Sequence, residues 1–259
     1  MQINDRVKIS SIFFLLAVIV VLAITSISLD NKEQNSIKLI ELDGNIHLPK
    51  DEYYRFANLE DETLYETLTP AIVKDRLEKH PYVQQVDAII IENRLAINIK
   101  EKNFEALIMH GDQECFVTEE NIKIPKLPLS EKIDYPIISN PLYDNKLDEF
   151  KSVLSNSDIV TGLKIISTFK LINPDLYENL SEIDLRKGGY IVLYFSQFSF
   201  PIVIGRNNEI DKIMYLEQLV QSLDNELLLN GLDYIDLRYS KHIYLGRSVN
   251  ENDTIGISS

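Results

Sequence analysis

The chain has 259 residues, of which 45% are hydrophobic and 25% are charged, proportions that fit one large folded domain or two ordinary ones. Its formal net charge of −14 argues against nucleic-acid binding, which usually depends on a basic face. The only cysteine, Cys115, excludes an internal disulfide and a zinc site built on cysteines, so we expect it to be a small buried side chain.

The N-terminus contains a long uncharged segment, residues 9–29. At about 1.5 Å per residue, a helix of this length spans the roughly 30 Å hydrocarbon layer of a bilayer. Arg6 and Lys8 precede the segment and Asp30 follows it, so the positive-inside rule places the N-terminus in the cytoplasm. These residues alone leave open a cleaved signal peptide with its apolar run at residues 12–24. In both cases the bulk of the chain is extracytoplasmic.

The next segment, residues 36–102, reads as a small domain with the order β-α-α-β-β. A short strand in "NSIKLIELDGNIHLP" is followed by a helix in "KDEYYRFANL". Thr69 and Pro70 are typical of an N-cap and a first helical position, so they predict the start of the second helix. Two strands then meet at Glu92-Asn93-Arg94, and the second shows the alternation of a half-buried strand at Leu95, Ile97 and Ile99.

Residues 103–245 read as a second, mixed α/β domain. Turn residues at Gly111-Asp112 and Gly188-Gly189 separate short apolar segments, which predicts hairpins. Helices are predicted between Lys146 and Phe169, in "NPDLYENL", and in the amphipathic stretch that ends at Asn230-Gly231. The following "GLDYIDLRYSKHIYLGR" predicts one last strand, at an edge of the sheet. The fold class is therefore α+β, with a polar tail at residues 246–259.

Chemistry-bearing motifs are absent from the sequence. The histidines, which we expect to be structural or on the surface, lack metal-ligand spacing: His47, His80, His110 and His242. No cofactor motif or recognisable catalytic constellation is present, so we expect neither a cofactor nor an enzyme.

The whole pattern resembles the FtsQ/DivIB family of bacterial cell-division proteins. "IELDGNIHLPKDE" and "RLEKHPYVQQVDAIIIENRLAINIKEKNFEA" resemble that family's POTRA domain. "IVIGR" before a long helix, and then "YIDLRY", resemble its C-terminal β domain. The order of these pieces behind a single membrane helix carries the resemblance.

The resemblance implies residues 1–8 as a cytoplasmic tail, 9–29 as a retained helix of a single-pass inner-membrane protein, 36–102 as a POTRA domain and 103–245 as a β domain. It implies a non-enzymatic scaffold at the division septum that binds the division proteins FtsB and FtsL by strand addition to its last strand. The POTRA domain is implied to contact upstream division proteins. The alternative from another class is a POTRA-containing transport or envelope-assembly module.

Carried over residue by residue, the resemblance implies that Arg206, Arg238, Tyr239 and Ser240 bind the partner. An exposed arginine pair suits a partner carboxylate, because a guanidinium binds a carboxylate with two parallel hydrogen bonds. The alternative is that Arg238 pairs with Asp236 or another neighbour and that Tyr239 is part of the core with Ile235 and Leu237.

Overall fold

The computed structural model describes residues 14–22, 37–110, 113–142, 148–222, 231–239 and 242–247. Of the predicted membrane segment, residues 9–29, only 14–22 are described, and they form a helix (α1). Within the described ranges, no helix has both the length and the hydropathy of a membrane span. The remainder of the chain forms two compact units, one built from Lys50–Lys100 with the residues before 46, the other from Ile46–Pro49 with the residues after 100.

The first unit has a three-stranded sheet in the order β1-β3-β2. The order β-α-α-β-β expected from the sequence is present, with an additional 3-10 helix at Glu62–Thr67. Thr69 caps its helix as predicted, since its side-chain oxygen accepts from the backbone N–H of Ile72 at 3.3 Å. The elements are β1 (Leu39–Asp43), α2 (Lys50–Phe56), α3 (Pro70–Leu77), β2 (Val83–Ile91) and β3 (Arg94–Glu101).

The second unit is built on a nine-stranded sheet in the order β12-β11-β10-β9-β8-β7-β4-β5-β6. This large mixed sheet with helices bears out the predicted α+β class. The strands are β4 (Phe104–His110), β5 (Gln113–Thr118), β6 (Lys123–Pro125), β7 (Ile137–Ser139), β8 (Leu180–Asp184), β9 (Val192–Phe195), β10 (Ile202–Val203), β11 (Leu232–Asp236) and β12 (Tyr244–Arg247). The helices are α4 (Ser157–Ile172), α5 (Pro174–Glu178) and α6 (Glu209–Ser222).

The core of the second unit forms where α4 and α6 cover one face of this sheet. Apolar residues at helical spacing on α4 join the inward residues of the strands in one buried cluster. Its members include Ile159, Leu163, Ile166 and Phe169 of α4, Ile213 and Leu216 of α6, and Ile138, Ile183, Leu193 and Ile235 of the sheet. Cys115 is buried there too, as expected for a small apolar side chain.

A buried polar cluster fixes the two points at which the chain enters the second unit. The carboxylate of Glu101 accepts the backbone N–H groups of Ile46 and His47 at 3.0 and 2.9 Å. The His47 ring bonds that carboxylate at 2.5 Å through Nδ1, and its Nε2 lies 2.9 Å from the Tyr135 hydroxyl. His47 is therefore structural, as expected. All these polar groups are satisfied, which is the condition under which burial of a carboxylate is tolerated.

The prediction of one continuous last strand over residues 231–247 is wrong. The ladder of β11 ends at Asp236, because the side chain of Asp236 accepts the backbone N–H of Arg238 at 3.0 Å and turns the chain. The chain resumes as β12 at Tyr244 and pairs back, antiparallel, onto β11. The edge strand of the described sheet is thus β12, and Arg238 and Tyr239 lie in the connection that precedes it.

The close contact of α4 with β7 at Gly162 yields a stability prediction. A Cβ on Gly162 would lie 2.8 Å from Cδ1 and 3.1 Å from Cγ1 of Ile138. We expect Gly162→Ala to lower the free energy of unfolding by about 1–3 kcal/mol through overpacking, although alanine favours the helix by about 1 kcal/mol. Chemical unfolding of the detergent-solubilised chain, followed by circular dichroism, measures the change.

The matched control removes the atom that clashes. Ile138→Val deletes Cδ1 and alone should cost about 0.5–1.5 kcal/mol. The double variant should lose less free energy of unfolding than the two single variants together, because the shortened side chain makes room for the new methyl group. Strictly additive losses would show that the contact does not limit the position of α4.

Candidate functional site: the C-terminal sheet edge

The hydrogen bonding of β11 determines which backbone groups the sheet edge presents. The N–H groups of Ile235 and Leu237 donate to Pro201 and Val203 at 3.1 and 2.8 Å, so these residues face β10. Since successive residues of a strand point their backbone groups to opposite sides, Tyr234 and Asp236 face β12. Both sides of β11 are therefore paired, and β11 itself offers no free edge.

The backbone groups of β12 also alternate between the side that faces β11 and the outer side. Tyr244 and Gly246 lie opposite Asp236 and Tyr234, so they use their N–H and C=O groups on β11. Their neighbours Ile243 and Leu245 point these groups away from β11, whereas Arg247 lies opposite Leu232 beyond a register shift in the pairing. Among the described residues, no strand lies on that outer side. The edge thus presents a row of backbone donors and acceptors, the arrangement that an added strand requires.

The side chains along this edge are apolar and aromatic. Ile243, Tyr244 and Leu245 are 44%, 50% and 44% exposed. The rings of Tyr239 and Tyr244 meet edge to face with centroids 5.2 Å apart. Natural edge strands usually carry lysine, proline or a covering element that blocks pairing. Of the devices that block pairing, the described edge has one charged residue, Arg247, at the end of β12, and a register shift in its pairing with β11 between Leu232 and Tyr234. Its middle is apolar and exposed, which is typical of a binding surface.

Arg238 lies at the base of this edge and is held within the chain. Its guanidinium bonds the Asp236 carboxylate through Nε at 3.0 Å and through Nη2 at 2.6 Å. The group also lies over the rings of Tyr190 and Tyr239, 5.1 and 5.8 Å from their centroids. Its aliphatic stem runs past Gly205, where a Cβ would approach Cγ to 3.0 Å. The alternative pairing of Arg238 with Asp236 is therefore present.

This pairing changes the titration of Asp236, whose side chain is buried. Burial by itself would raise the pKa of the carboxyl group, but the hydrogen bonds and positive charge of Arg238, with a smaller effect of Lys212, outweigh it. The pKa of Asp236 is consequently lowered. A lowered pKa stabilises the fold above the unfolded-state value of about 3.9, and this stabilisation is lost as the pH falls through the folded-state value.

Tyr239 lies apart from the core, contrary to the alternative that places it there. Its side chain is 55% exposed, beside Tyr244 and the Arg238 guanidinium. The position is compatible with a partner contact, but no partner is bound, so this role stays a prediction. Ser240 lies outside the described residues.

Arg206 follows β10 and connects three parts of the second unit. Its Nη atoms bind the Asp158 carboxylate at 2.8 and 3.2 Å, at the start of α4. The remaining donors reach the carbonyl oxygens of Gly189 at 2.5 Å and Leu185 at 2.9 Å. With its side chain 25% exposed and that of Asp158 7% exposed, the pair is largely shielded from water. Joint binding of a partner's acidic segment by Arg206 and Arg238 stays a prediction, and each guanidinium already has a carboxylate of its own chain.

The residues that the sequence interpretation missed are those of β12. "HIYLGR" has a glycine after two large apolar residues, which suggests a separate short strand only if a turn is placed before it. Asp158 was missed too, because nothing in a local pattern links it to Arg206, 48 residues away. In the described ranges no group of three or more histidine, cysteine, aspartate and glutamate side chains could hold a metal ion.

The Asp236–Arg238 pair predicts a pH-dependent loss of stability. In Arg238→Gln the buried carboxylate loses its charged donor, which should lower the free energy of unfolding at pH 7 by about 1 kcal/mol. The value is at the low end for charge-assisted bonds, because the Arg238 side chain is 41% exposed to solvent. The difference from wild type should shrink at about pH 3, below the unfolded-state pKa of about 3.9, because protonation of the unfolded carboxyl group then offsets the stabilisation that the lowered pKa of Asp236 provides in the wild type. Chemical unfolding at both pH values measures it.

Arg186→Gln is the matched control, since Arg186 is 38% exposed and also contacts an aspartate, Asp184, at a longer distance of 3.3 Å. It reports what the loss of one surface guanidinium does by itself at each pH. A destabilisation by Arg238→Gln that is equal at both pH values would contradict the assignment to Asp236.

The match to a known protein family lies within this second unit. Residues 110–238 match the family model for the C-terminal part of cell division protein FtsQ/DivIB. No curated protein matches the chain. The matched span starts at the end of β4, contains Arg206, and ends at Arg238, just before the connection to β12. The chain therefore belongs to the FtsQ/DivIB family and has a role in cell division.

Proposed function

We propose that this protein is a non-catalytic scaffold of the division machinery, which binds FtsB and FtsL by addition of a partner strand to the outer edge of β12. The observation that carries the proposal is the outward direction of the backbone groups of Ile243 and Leu245. In strand addition these groups supply affinity, and the alternate side chains on either face supply specificity. The exposed side chains that can provide this specificity are those of Tyr239, Tyr244 and Leu245.

The opposite edge of the same sheet supports the choice of β12. There, the outer side of β6 is already bonded: the N–H of Lys123 donates to Lys151 and its C=O accepts from Phe150, at 3.0 and 2.8 Å. Pro125 ends β6 without an N–H group. The chain thus closes one end of the described sheet by its own segments, whereas no described strand lies on the outer side of β12.

The roles that we propose for the other parts of the chain follow from its membership of the family. Residues 36–102 act as a POTRA domain that contacts upstream division proteins, and their sheet order β1-β3-β2 with two covering helices supports this role. Residues 9–29 anchor the protein in the inner membrane as a single-pass helix, with residues 1–8 in the cytoplasm. The C-terminal part then lies in the periplasm at the division septum.

The backbone edge can be tested by removing one N–H group. Leu245 donates outward, so Leu245→Pro removes a donor that the partner needs and none that β11 uses. We expect the affinity for the soluble part of the FtsB–FtsL complex to fall at least about tenfold, the equivalent of one or two lost hydrogen bonds. Calorimetric titration of the full chain in detergent measures this affinity.

Leu245→Ala is the matched control, because it keeps the N–H group and removes more of the side chain than proline does. Its affinity should stay within about threefold of wild type if the backbone carries the binding. Equal losses in the two variants, with both folded by circular dichroism, would move the contact to the side chain. Wild-type chain that does not bind would favour another interface or a transport module.

A further inference from the structure

We propose that one end of the first unit's sheet rests on the membrane surface, with the side chains of Leu39, Ile89 and Ile91 inserted shallowly among the lipids. We call these three side chains the entry patch, because the chain enters the unit beside them. The inference rests on the proposed membrane anchor at residues 9–29. It adds a second contact with the same bilayer, made by the folded unit.

Strand pairing brings the entry patch to one end of the sheet. β1 runs parallel to β3, with Leu39 paired to Arg94. A two-residue turn separates the end of β2 at Ile91 from the start of β3, and a turn of this length places Ile91 opposite Arg94. The N–H of Lys38 donates to the carbonyl oxygen of Asn93 in this turn at 2.7 Å. The start of β1 and the β2–β3 turn therefore lie side by side.

The entry patch faces away from the core of the unit. Leu95, next to Arg94 in β3, is fully buried, so Arg94 points to the opposite, open face of the sheet. The entry patch shares this open face with Arg94, and Leu39, Ile89 and Ile91 are 51%, 58% and 44% exposed. Three large apolar side chains together on an open sheet face indicate a contact surface.

The length of chain before Leu39 identifies the bilayer as the surface within reach. Nine residues, 30–38, separate the proposed anchor from Leu39. Even fully extended they span only about 30 Å, so the end of the sheet with the entry patch stays within that distance of the membrane. Such a tether makes the contact intramolecular and gives it a high effective concentration. Three side chains, which alone would hold a free protein only weakly, then suffice.

Charge near the entry patch is balanced, so apolar burial drives the contact. Lys38 and Arg94 are basic, whereas Glu41 and Glu92 are acidic. Arg94 pairs with Glu41 at 2.9 Å, and both side chains are 45% exposed. Asp87, on the same face of β2, lies further from this end. The contact should therefore need no anionic lipid and should change little with added salt, unlike binding by a basic surface.

Quenching of a fluorophore beside the entry patch tests the contact. The full-length chain is reconstituted into phosphatidylcholine vesicles that contain a phospholipid with a nitroxide group near its headgroup. Asn93→Cys carries the fluorophore on the β2–β3 turn and leaves the three apolar side chains in place. The wild-type chain, which keeps the buried Cys115, measures background labelling.

Lys100→Cys is the matched position for the same fluorophore. It is exposed on the same face of the sheet but lies about 20 Å along β3 from Arg94. We expect quenching to be at least about threefold stronger at residue 93 than at residue 100, because only the first position then lies at the membrane surface. Equal quenching at the two positions would overturn the proposal.

A second pair of variants isolates the apolar character of the entry patch. Threonine and valine have nearly the same shape and both suit a strand, but threonine adds a hydroxyl group. With the fluorophore at residue 93, Ile89→Thr with Ile91→Thr should reduce quenching to the level of residue 100, whereas Ile89→Val with Ile91→Val should keep it. Equal quenching in the two double variants, both folded by circular dichroism, would overturn the role of these side chains.

Flotation of the same vesicles separates this inference from the proposed anchor. A chain that floats with the lipid and is quenched at residue 93 supports both. A chain that floats without this quenching retains the anchor and overturns the membrane contact. A chain that does not float overturns the anchor, and the inference with it. Fluorescence that depends on the ratio of protein to lipid, and not on the nitroxide, would assign the entry patch to a second copy and overturn the proposal.

Discussion

The alternation of backbone hydrogen bonds along β11 from Tyr234 to Leu237 is the constraint on which the binding edge depends. Ile235 and Leu237 bond to the β10 side, so Tyr234 and Asp236 are left to hold β12. That division fixes which backbone groups of β12 face outward, and it places them at Ile243 and Leu245. The parallel pairing of β10 with β11 therefore determines which backbone groups of β12 are exposed, and through these groups the protein is proposed to act.

Internal charge pairing complements the open edge. The two arginines expected to meet a partner, Arg206 and Arg238, are each bound by a buried aspartate, one at the start of α4 and one at the end of β11. These pairs hold the strand ends and connections in place around β10 and β11. Since their donors are largely used within the chain, we attribute binding first to the backbone of β12 and its exposed apolar side chains, and only then to the guanidinium groups.

Local patterns in the sequence predicted much of the fold and less of the site. The Thr69 cap, the helix α4 and the alternation at Leu95, Ile97 and Ile99 are set by neighbouring residues, so they could be read directly. The break after Asp236 could not, because the apolar alternation continues past the point where the Asp236 side chain turns the chain. The Arg206–Asp158 pair depends on two segments brought together by the whole sheet, and no spacing in the sequence encodes such a contact.

Amide hydrogen exchange across β12, followed residue by residue by nuclear magnetic resonance, tests the central claim most directly. In the monomeric full-length chain at low concentration, the N–H groups of Tyr244 and Gly246 should be protected, and those of Ile243 and Leu245 should exchange rapidly. Saturation with the soluble FtsB–FtsL complex should then protect the second set as well. Protection of the second set in the free monomer, or none gained in the saturated complex, would contradict docking by strand addition to β12.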